Sequence, residues 1–426
     1  MAEVKPFSSV HYSSAKVDIS KVIMPPYDII RDTSVYYSMS PYNVVRIDKG
    51  NDEAGDNDAE NKYTRAAANL KKWLSEGVLQ RDKEECYYIY TQEYLTPDGK
   101  KHEMAAFFGL VKLEEFEKKV VLPHEKTHSG PKVDRLLLMR QTKSNTSPIL
   151  SLYFDAEKKV DSIIRRYMAE EKPYFDTKGP DGIRYRIYRV ANVKEKEKIS
   201  SYFAGKKLFI ADGHHRYETG INFRNEMREK GAAAGSPYDY ILMCLISMEH
   251  SGISILPTHR LKSEFNHDIL GAAELEKFFE VKKCADEKEL REVMVNSAGK
   301  KIIGVFGNGM CHALTLKKKE YAKIVNLSEH IMDYYLLDAS VLHRLLFERI
   351  LGMDEAEINK NIDYTPDIDE AIKMVSEGKS KITFLLGPAS VEEVRVISEN
   401  GEVMPQKSTY FLPKLATGFL INKMEE

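Results

Sequence analysis

Asp212, Gly213, His214, His215 and Arg216 are consecutive, in the stretch "FIADGHHRYE" that runs from 209 to 218. An apolar strand that ends in a tight glycine turn and starts a helix aims several unpaired backbone N–H groups at one point. With the helix dipole they form a site for an anion before any side chain is counted. Gly213 lets the backbone come close to a ligand. A cation in the first helical turn opposes the dipole, so Arg216 makes chemical sense as a bidentate grip on a phosphate. His214 and His215 add donors, and Asp212 could bind magnesium or orient a histidine. The plainer alternative is that Asp212 only caps the helix and that the histidines are surface residues. The chemistry favoured by the spacing is the holding of an oxyanion, most naturally a nucleotide phosphate.

A second pattern, "PHEKTHSGP", contains His124, Glu125 and His128 in H-E-x-x-H order. In a zinc peptidase those histidines share one face of a long helix. Pro123 before it and Gly130-Pro131 after it leave no room for such a helix, so the segment reads as a loop that carries a His–Glu pair. In the tail, "MPQKST" supplies Lys407, Ser408 and Thr409, suited to close over phosphates. His259 and Arg260, in "ISILPTHR", could hold a substrate carboxylate, as could His124.

These groups need elements to position them. "KKLFIA" reads as a buried strand and "RYETGINFRNEMREKG" as a helix closed by Gly231. "KVIMPPYDII" (21–30) reads as a strand running into a proline-stiffened loop, and the acidic 48–63 stretch as an exposed loop. Residues 64–78 have helical periodicity, and 86–113 is a hairpin around Pro-Asp-Gly. From 121 to about 148 turn and charged residues suggest a loop. A strand and a helix follow, then an alternating strand over 183–190. "YILMCLISM" (240–248) and "ISILPTHR" (253–260) suggest a strand pair across a short turn. Beyond 261 helices and strands alternate. The fold class is α/β with mixed sheets. The expected domains are 1–260, 261–400, and a 401–426 segment that returns to the active site.

With 63 basic and 65 acidic residues, the chain lacks the charge excess of a protein that grips nucleic acid electrostatically. No apolar run is long enough to span a bilayer, and the first residues lack a signal peptide's apolar region. Four scattered cysteines without a C-x-x-C pair fit free thiols in a reducing cytoplasm.

The blocks "VIMPPYDII", "LPHEKTHSGPKVDRLLLMRQTKSNTSPILSLYF", "FIADGHHRYETG", "ISILPTHRL" and "GEVMPQKSTYFLPKLATGFL", in this order, make the chain resemble the domain of unknown function 1015 family. The acidic insert at 48–62 departs from the family by loop length. The D-G-H-H-R turn is also similar to the phosphate-binding box of the ParB/sulfiredoxin superfamily, which includes kinases that phosphorylate free L-serine. That resemblance implies a ParB/sulfiredoxin-like nucleotide-binding core beside a second α/β domain. It implies that Gly213, His214, His215 and Arg216 bind phosphates, and that Asp28, in the superfamily's first box, is the general base. Glu125 is the other carboxylate that could serve, and His215 is counted with the catalytic groups. The implied reaction makes O-phospho-L-serine from serine and ATP, or ADP or pyrophosphate, with Mg2+ on Asp212. Nucleotide and serine are then the partners, without nucleic acid or membrane, and a homodimer is compatible. The alternatives are a nucleotide-dependent ParB-like switch and a phosphate-ester hydrolase.

Overall fold

The structure is a computed structural model that describes residues 1–96, 99–126, 129–179, 182–296 and 299–425. His128 of the H-E-x-x-H pattern lies outside them. The chain divides into two compact units. The first comprises Met1–Pro123, Thr127–Ile253 and Pro413–Glu426, and the second His124–Lys126 and Ser254–Leu412. The 401–426 tail is therefore shared, with the division between Leu412 and Pro413.

The first unit is built on a nine-stranded mixed sheet. Its order starts at the short strand Val121–Leu122, passes through Leu208–Asp212, Ile149–Tyr153, Tyr240–Ser247, Lys101–Lys112, Tyr87–Leu95 and Arg184–Val190, and ends at Phe175–Lys178. Val4–Lys5 pairs with Lys101–Lys112. The predicted hairpin is present, with Leu95 opposite Lys101. Most of its strands are buried on both faces, which is why Leu208–Ala211 and Tyr240–Ser247 read as continuous apolar runs rather than alternating ones. Helices Lys159–Glu170, Val193–Phe203 and His214–Glu229 bury Ile164, Tyr167, Ile199, Phe203, Tyr217 and Ile221 in one core with the strands.

The second unit has a six-stranded antiparallel sheet, in the order Phe279–Lys283, Met310–Leu316, Ile302–Gly307, Ile382–Leu385, His259–Lys262, Ile362–Thr365. A separate pair joins Ser254–Leu256 to Tyr410–Leu412. Val341, Leu342, Leu345, Leu346 and Phe347 of the wide helix Val341–Ile350 pack into its core.

Three local expectations change. The 121–148 stretch contains a helix, Ser129–Thr142. Its buried stripe is Arg135, Leu138, Met139 and Thr142, with helical spacing. Two of those four are polar, so an apolar count misses it, and Gly130-Pro131 sits in the first turn, where proline is tolerated. Residues 123–126 are not helical, so no zinc-peptidase helix begins there. Residues 21–30 form no strand. Met24 makes one bridge to Thr417, and a turn covers 27–29. Tyr240–Ser247 and the 253–260 segment do not pair. The former belongs to the nine-stranded sheet and the latter supplies Ser254–Leu256 and His259–Lys262 of the second unit, split by Pro257. Among the described residues no helix is long and apolar enough to cross a membrane.

The helix His214–Glu229 sits close to its sheet because Gly220 has no side chain. A Cβ there would lie 2.7 Å from Ile241 Cδ1 and 3.2 Å from Leu113 Cδ2. Gly220→Val is expected to lower stability by about 1–3 kcal/mol through overpacking. Chemical denaturation measures it, and an unchanged midpoint would contradict this packing.

Candidate functional site

The strand Leu208–Asp212 delivers Asp212 at its end, after a register shift between Ile210 and Asp212 that re-aims the last side chain. Gly213 follows at φ +100°, and the helix begins at His214. Asp212 is therefore not the helix cap; Gly213 occupies that position. The Arg216 guanidinium folds back over the glycine, where an added Cβ would meet its Nε at 2.9 Å. Backbone conformation and lack of space both require glycine there.

Arg216 is buried at 6% exposure. Its Nη1 donates to Pro148 O and its Nη2 to Asp212 Oδ2. Asp212 Oδ1 accepts from Lys414 Nζ at 2.5 Å. The bidentate fork expected to grip a phosphate is thus turned inward, while Nε is buried without a hydrogen-bond partner among the described residues. Burial opposes the Arg216 charge, but Asp212, with Tyr27, Asp28 and Asp48 beyond it, holds the pKa above its ordinary value. Burial likewise opposes ionisation of Asp212, yet Lys414 and Arg216 hold its carboxyl well below the usual range. His214 is buried and His215 half-buried in the helix's first turn.

Asp28 comes near this corner. It sits exposed in the 27–29 turn, close enough for its charge to favour the cationic forms of Arg216 and Lys49. The neighbouring Tyr27 ring lies 5.9 Å from the Arg216 guanidinium and 4.0 Å from that of Arg135. Lys49 Nζ fixes the turn by donating to Tyr27 O at 2.5 Å and Ile30 O at 2.6 Å.

Three participants escaped sequence reasoning, and the first is Lys414 of the tail, which bonds Asp212. Arg135 lay in the presumed loop, and Asp48 at the edge of the acidic stretch read as exposed. Asp48 is fully buried and its Oδ1 accepts from Thr146 at 2.6 Å, Ser147 at 2.5 Å and Arg135 Nη1 at 3.3 Å. Arg135 also holds Asp134, at 2.6 Å from Nη2 and 2.9 Å from Nε. The signals were the apolar "NVV-I" run before Asp48 and the helical spacing around Arg135. A cleft of about 490 Å³ opens beside them, lined by Tyr27, Asp48, Lys49, Lys62, Tyr63, Asp134 and Arg135 among others. A smaller cavity of about 30 Å³ is lined by Arg135, Asn145, Thr146, Ser147 and Arg216.

The other predicted residues assemble in the second unit. His124 Nε2 lies 2.8 Å from Thr409 Oγ1, and His124 O accepts from Met404 N at 2.8 Å. Arg260 Nη2 donates to Gln406 O at 3.2 Å, and Glu125 is near enough for its charge to favour the Arg260 cation. Ser408 is buried and donates to Pro405 O at 2.5 Å, whereas Lys407 is exposed at φ +56°. His259 Nδ1 accepts from Leu386 N at 3.1 Å. The sequence-predicted residues thus fall into two groups, one in each unit.

Magnesium does not fit Asp212 as placed. Both carboxylate oxygens face cations, and a third positive charge would displace Arg216 or Lys414. Among the described residues no group of three or more His, Cys, Asp or Glu could hold a metal ion.

The family model described as "Protein of unknown function (DUF1015)" matches residues 4–340. No curated protein matches the chain. Among solved structures, a free serine kinase variant in complex with AMP is similar at 14% identity and TM-score 0.37, over 72% of this chain and 88% of that one. The ADP complex of the same variant gives 13% identity, TM-score 0.37 and the same coverage. SbnI with C-terminal truncation, from Staphylococcus aureus, gives 10% identity and TM-score 0.37, over 74% of this chain and 87% of that one.

Two outcomes follow from the geometry. Because Arg216 is buried and ion-paired, Arg216→Ala is expected to cost about 3–5 kcal/mol in urea denaturation, with Arg216→Lys milder. A cost below about 0.5 kcal/mol, the surface value, would contradict the buried pair. His259, whose pKa burial pushes down to about 3, binds fewer protons folded than unfolded between there and its ordinary value of 6.5. Its contribution is complete above pH 6.5 and is lost as pH falls below it, by up to about 1.4 kcal/mol per pH unit. Melting curves from pH 7.5 to 5 should show that slope, reduced in His259→Gln.

Proposed function

This chain belongs to the DUF1015 family, and from that premise we propose that it is a small-molecule kinase that phosphorylates free L-serine. In this reading its first unit is a ParB/sulfiredoxin-like nucleotide-binding core and ATP is the phosphate donor. The observation that carries the reading is the approach of the Tyr27–Asp28 turn to the buried Arg216 at the start of the helix His214–Glu229, where Tyr27 also lines the 490 Å³ cleft. A carboxylate beside a buried guanidinium and a helix N-terminus unites a proton acceptor with a place for negative charge.

Phosphoryl transfer asks mainly for positioning and charge neutralisation. The phosphates lie toward the first turn of that helix, where His214 and His215 stand beside Arg216, whose guanidinium covers Gly213. Arg216 contributes charge and its Nε, since its other donors hold Pro148 and Asp212. Asp28 accepts the proton of the serine hydroxyl as that oxygen bonds to the terminal phosphorus and the bond to the nucleoside diphosphate breaks. Arg135 braces the site by holding Tyr27 and Asp48 together. In this reading the protein works in a reducing cytoplasm, a setting that its four free cysteines suit.

The test is incubation of the full chain with serine, divalent cation and ATP, ADP or pyrophosphate, with O-phosphoserine read by mass spectrometry. Product with at least one donor is expected. Asp28→Asn should keep nucleotide affinity and lose about 10²–10⁴-fold in turnover, the usual worth of a general base. A folded chain that makes no product with any donor refutes the kinase, and an Asp28→Asn enzyme with full turnover refutes the base.

A further inference from the structure

We propose that Cys284 and Cys311 of the second unit are a site of reversible oxidation, which closes to a cross-strand disulfide when the chain meets a small-molecule disulfide or a peroxide. This inference does not rest on the kinase reading. Strands Phe279–Lys283 and Met310–Leu316 pair antiparallel, with Lys282 opposite Ala313 and Lys283 opposite His312. One more step along that register puts Cys284 opposite Cys311, and the Cys284 N–H donates to Cys311 O at 2.9 Å. Residues opposed in this way project from one face of a sheet, with Cα atoms about 5.5 Å apart in a hydrogen-bonded pair. That spacing falls within the range of about 4.4–6.8 Å that a disulfide spans. Both side chains accordingly lie in one apolar cluster, with Leu261, Leu290, Ile302 and Leu385. The cysteines of the first unit have no such arrangement, since Cys244 stands opposite Phe108 and Leu150, and Cys86 opposite Phe7.

Exposure divides the roles. Cys311 is half-buried and is the thiol an oxidant can reach, whereas Cys284 is 2% exposed and completes the bridge from within. With a small disulfide, the Cys311 thiolate attacks one sulfur, forms a mixed disulfide and expels one thiolate. The Cys284 thiolate then attacks the Cys311 sulfur, the bond to the small thiol breaks, and a second thiolate leaves. The two cysteine protons pass to solvent or to the departing thiolates, so two protein thiols are oxidised and one small disulfide is reduced. With hydrogen peroxide, Cys311 becomes a sulfenic acid as hydroxide leaves. The Cys284 thiol then attacks that sulfur, and the hydroxyl departs with the thiol proton as water.

Burial pushes both thiols above their ordinary pKa, and a charge on Cys284 raises Cys311 further. Thiolate is therefore scarce at neutral pH, and closure is slow there and faster in alkali. The same property holds the bridge once it has formed, because the reduced pair gains nothing from ionisation. Phe279–Lys283 is the outermost strand of its sheet, so the bridge pins an edge where the ladder stops. It also ties down the chain that enters the helix Glu287–Val295. That entry is now held to Cys311 only by its weak Sγ donation to Asp286 O at 3.3 Å.

The test is incubation of the folded full chain with glutathione disulfide at pH 7 and pH 8, read by intact mass and peptide mapping. Loss of two hydrogens and a peptide cross-linked through Cys284 and Cys311 are expected, with Cys86 and Cys244 left as thiols. The initial rate should rise about tenfold over that pH unit, following the thiolate fraction. The oxidised chain should melt several degrees above the reduced one, and dithiothreitol should reverse the rise. Cys284→Ser should stop at a glutathione adduct on Cys311, and Cys311→Ser should leave Cys284 unreacted. Absence of the cross-link from the oxidised wild-type chain overturns the site, as does a lasting glutathione adduct on Cys311 while Cys284 is present. Cross-links that join Cys86 or Cys244 as readily overturn it too, since they would report unfolding. The assay contains neither nucleotide nor serine, so its failure and that of the kinase reading are separate results.

Discussion

Asp212 held between Arg216 and Lys414 is the interaction on which the first unit's candidate site depends. It joins three parts of the chain that sequence keeps far apart: the end of a core strand, the first turn of the following helix, and the final segment. That last segment is threaded into the unit by Thr417 bridging Met24, Ile421 bridging Val10, and Asn422 pairing with Asn145. Gln92 fixes the position of Lys414 by donating to its carbonyl at 3.2 Å. Buried ion pairs add little net stability, because desolvation offsets most of the attraction. Their value here is positional, since each partner has no other low-energy place to be.

The same logic extends to the neighbouring network. Asp48 collects two hydroxyls and a guanidinium from the 129–147 region, and Tyr27 lies against that guanidinium. The loop that carries Asp28 has no regular secondary structure to hold it. It is held by Lys49, which grips two of its carbonyls, and by the Tyr27 ring. In the proposed role of general base, a carboxylate on an exposed turn needs such bracing to meet a substrate in one geometry.

Elements whose buried residues are apolar were legible in the sequence: the strand before Asp212, the helix after it, the 86–113 hairpin, and Tyr240–Ser247. Those whose buried residues are polar were not. The helix Ser129–Thr142 buries an arginine and a threonine, and Asp48 is a wholly buried acid that composition assigns to solvent. Hydrophobic periodicity reads transfer from water and is blind to groups buried by mutual pairing. The candidate site was legible as a motif at 212–216 and illegible as a network, because Lys414, Arg135 and Asp48 reach it by tertiary contacts. The orientation of Arg216 also required coordinates, since spacing alone suggested a fork facing outward.

That inward orientation raises the question of how a corner whose donors are engaged could still attract phosphate. Charge does not vanish when hydrogen bonds are made. Within this triad Arg216 and Lys414 carry two positive charges against the one of Asp212, an excess that Asp28 and Asp48 offset in part, and the helix N-terminus adds partial positive charge. Inside a protein such an excess acts over several ångströms more strongly than it would in water. Asp212 cannot leave, being fixed in the chain, and an arriving phosphate has no need to displace it. The carboxylate holds the two cations in place, and the surplus they leave is what a phosphate would neutralise.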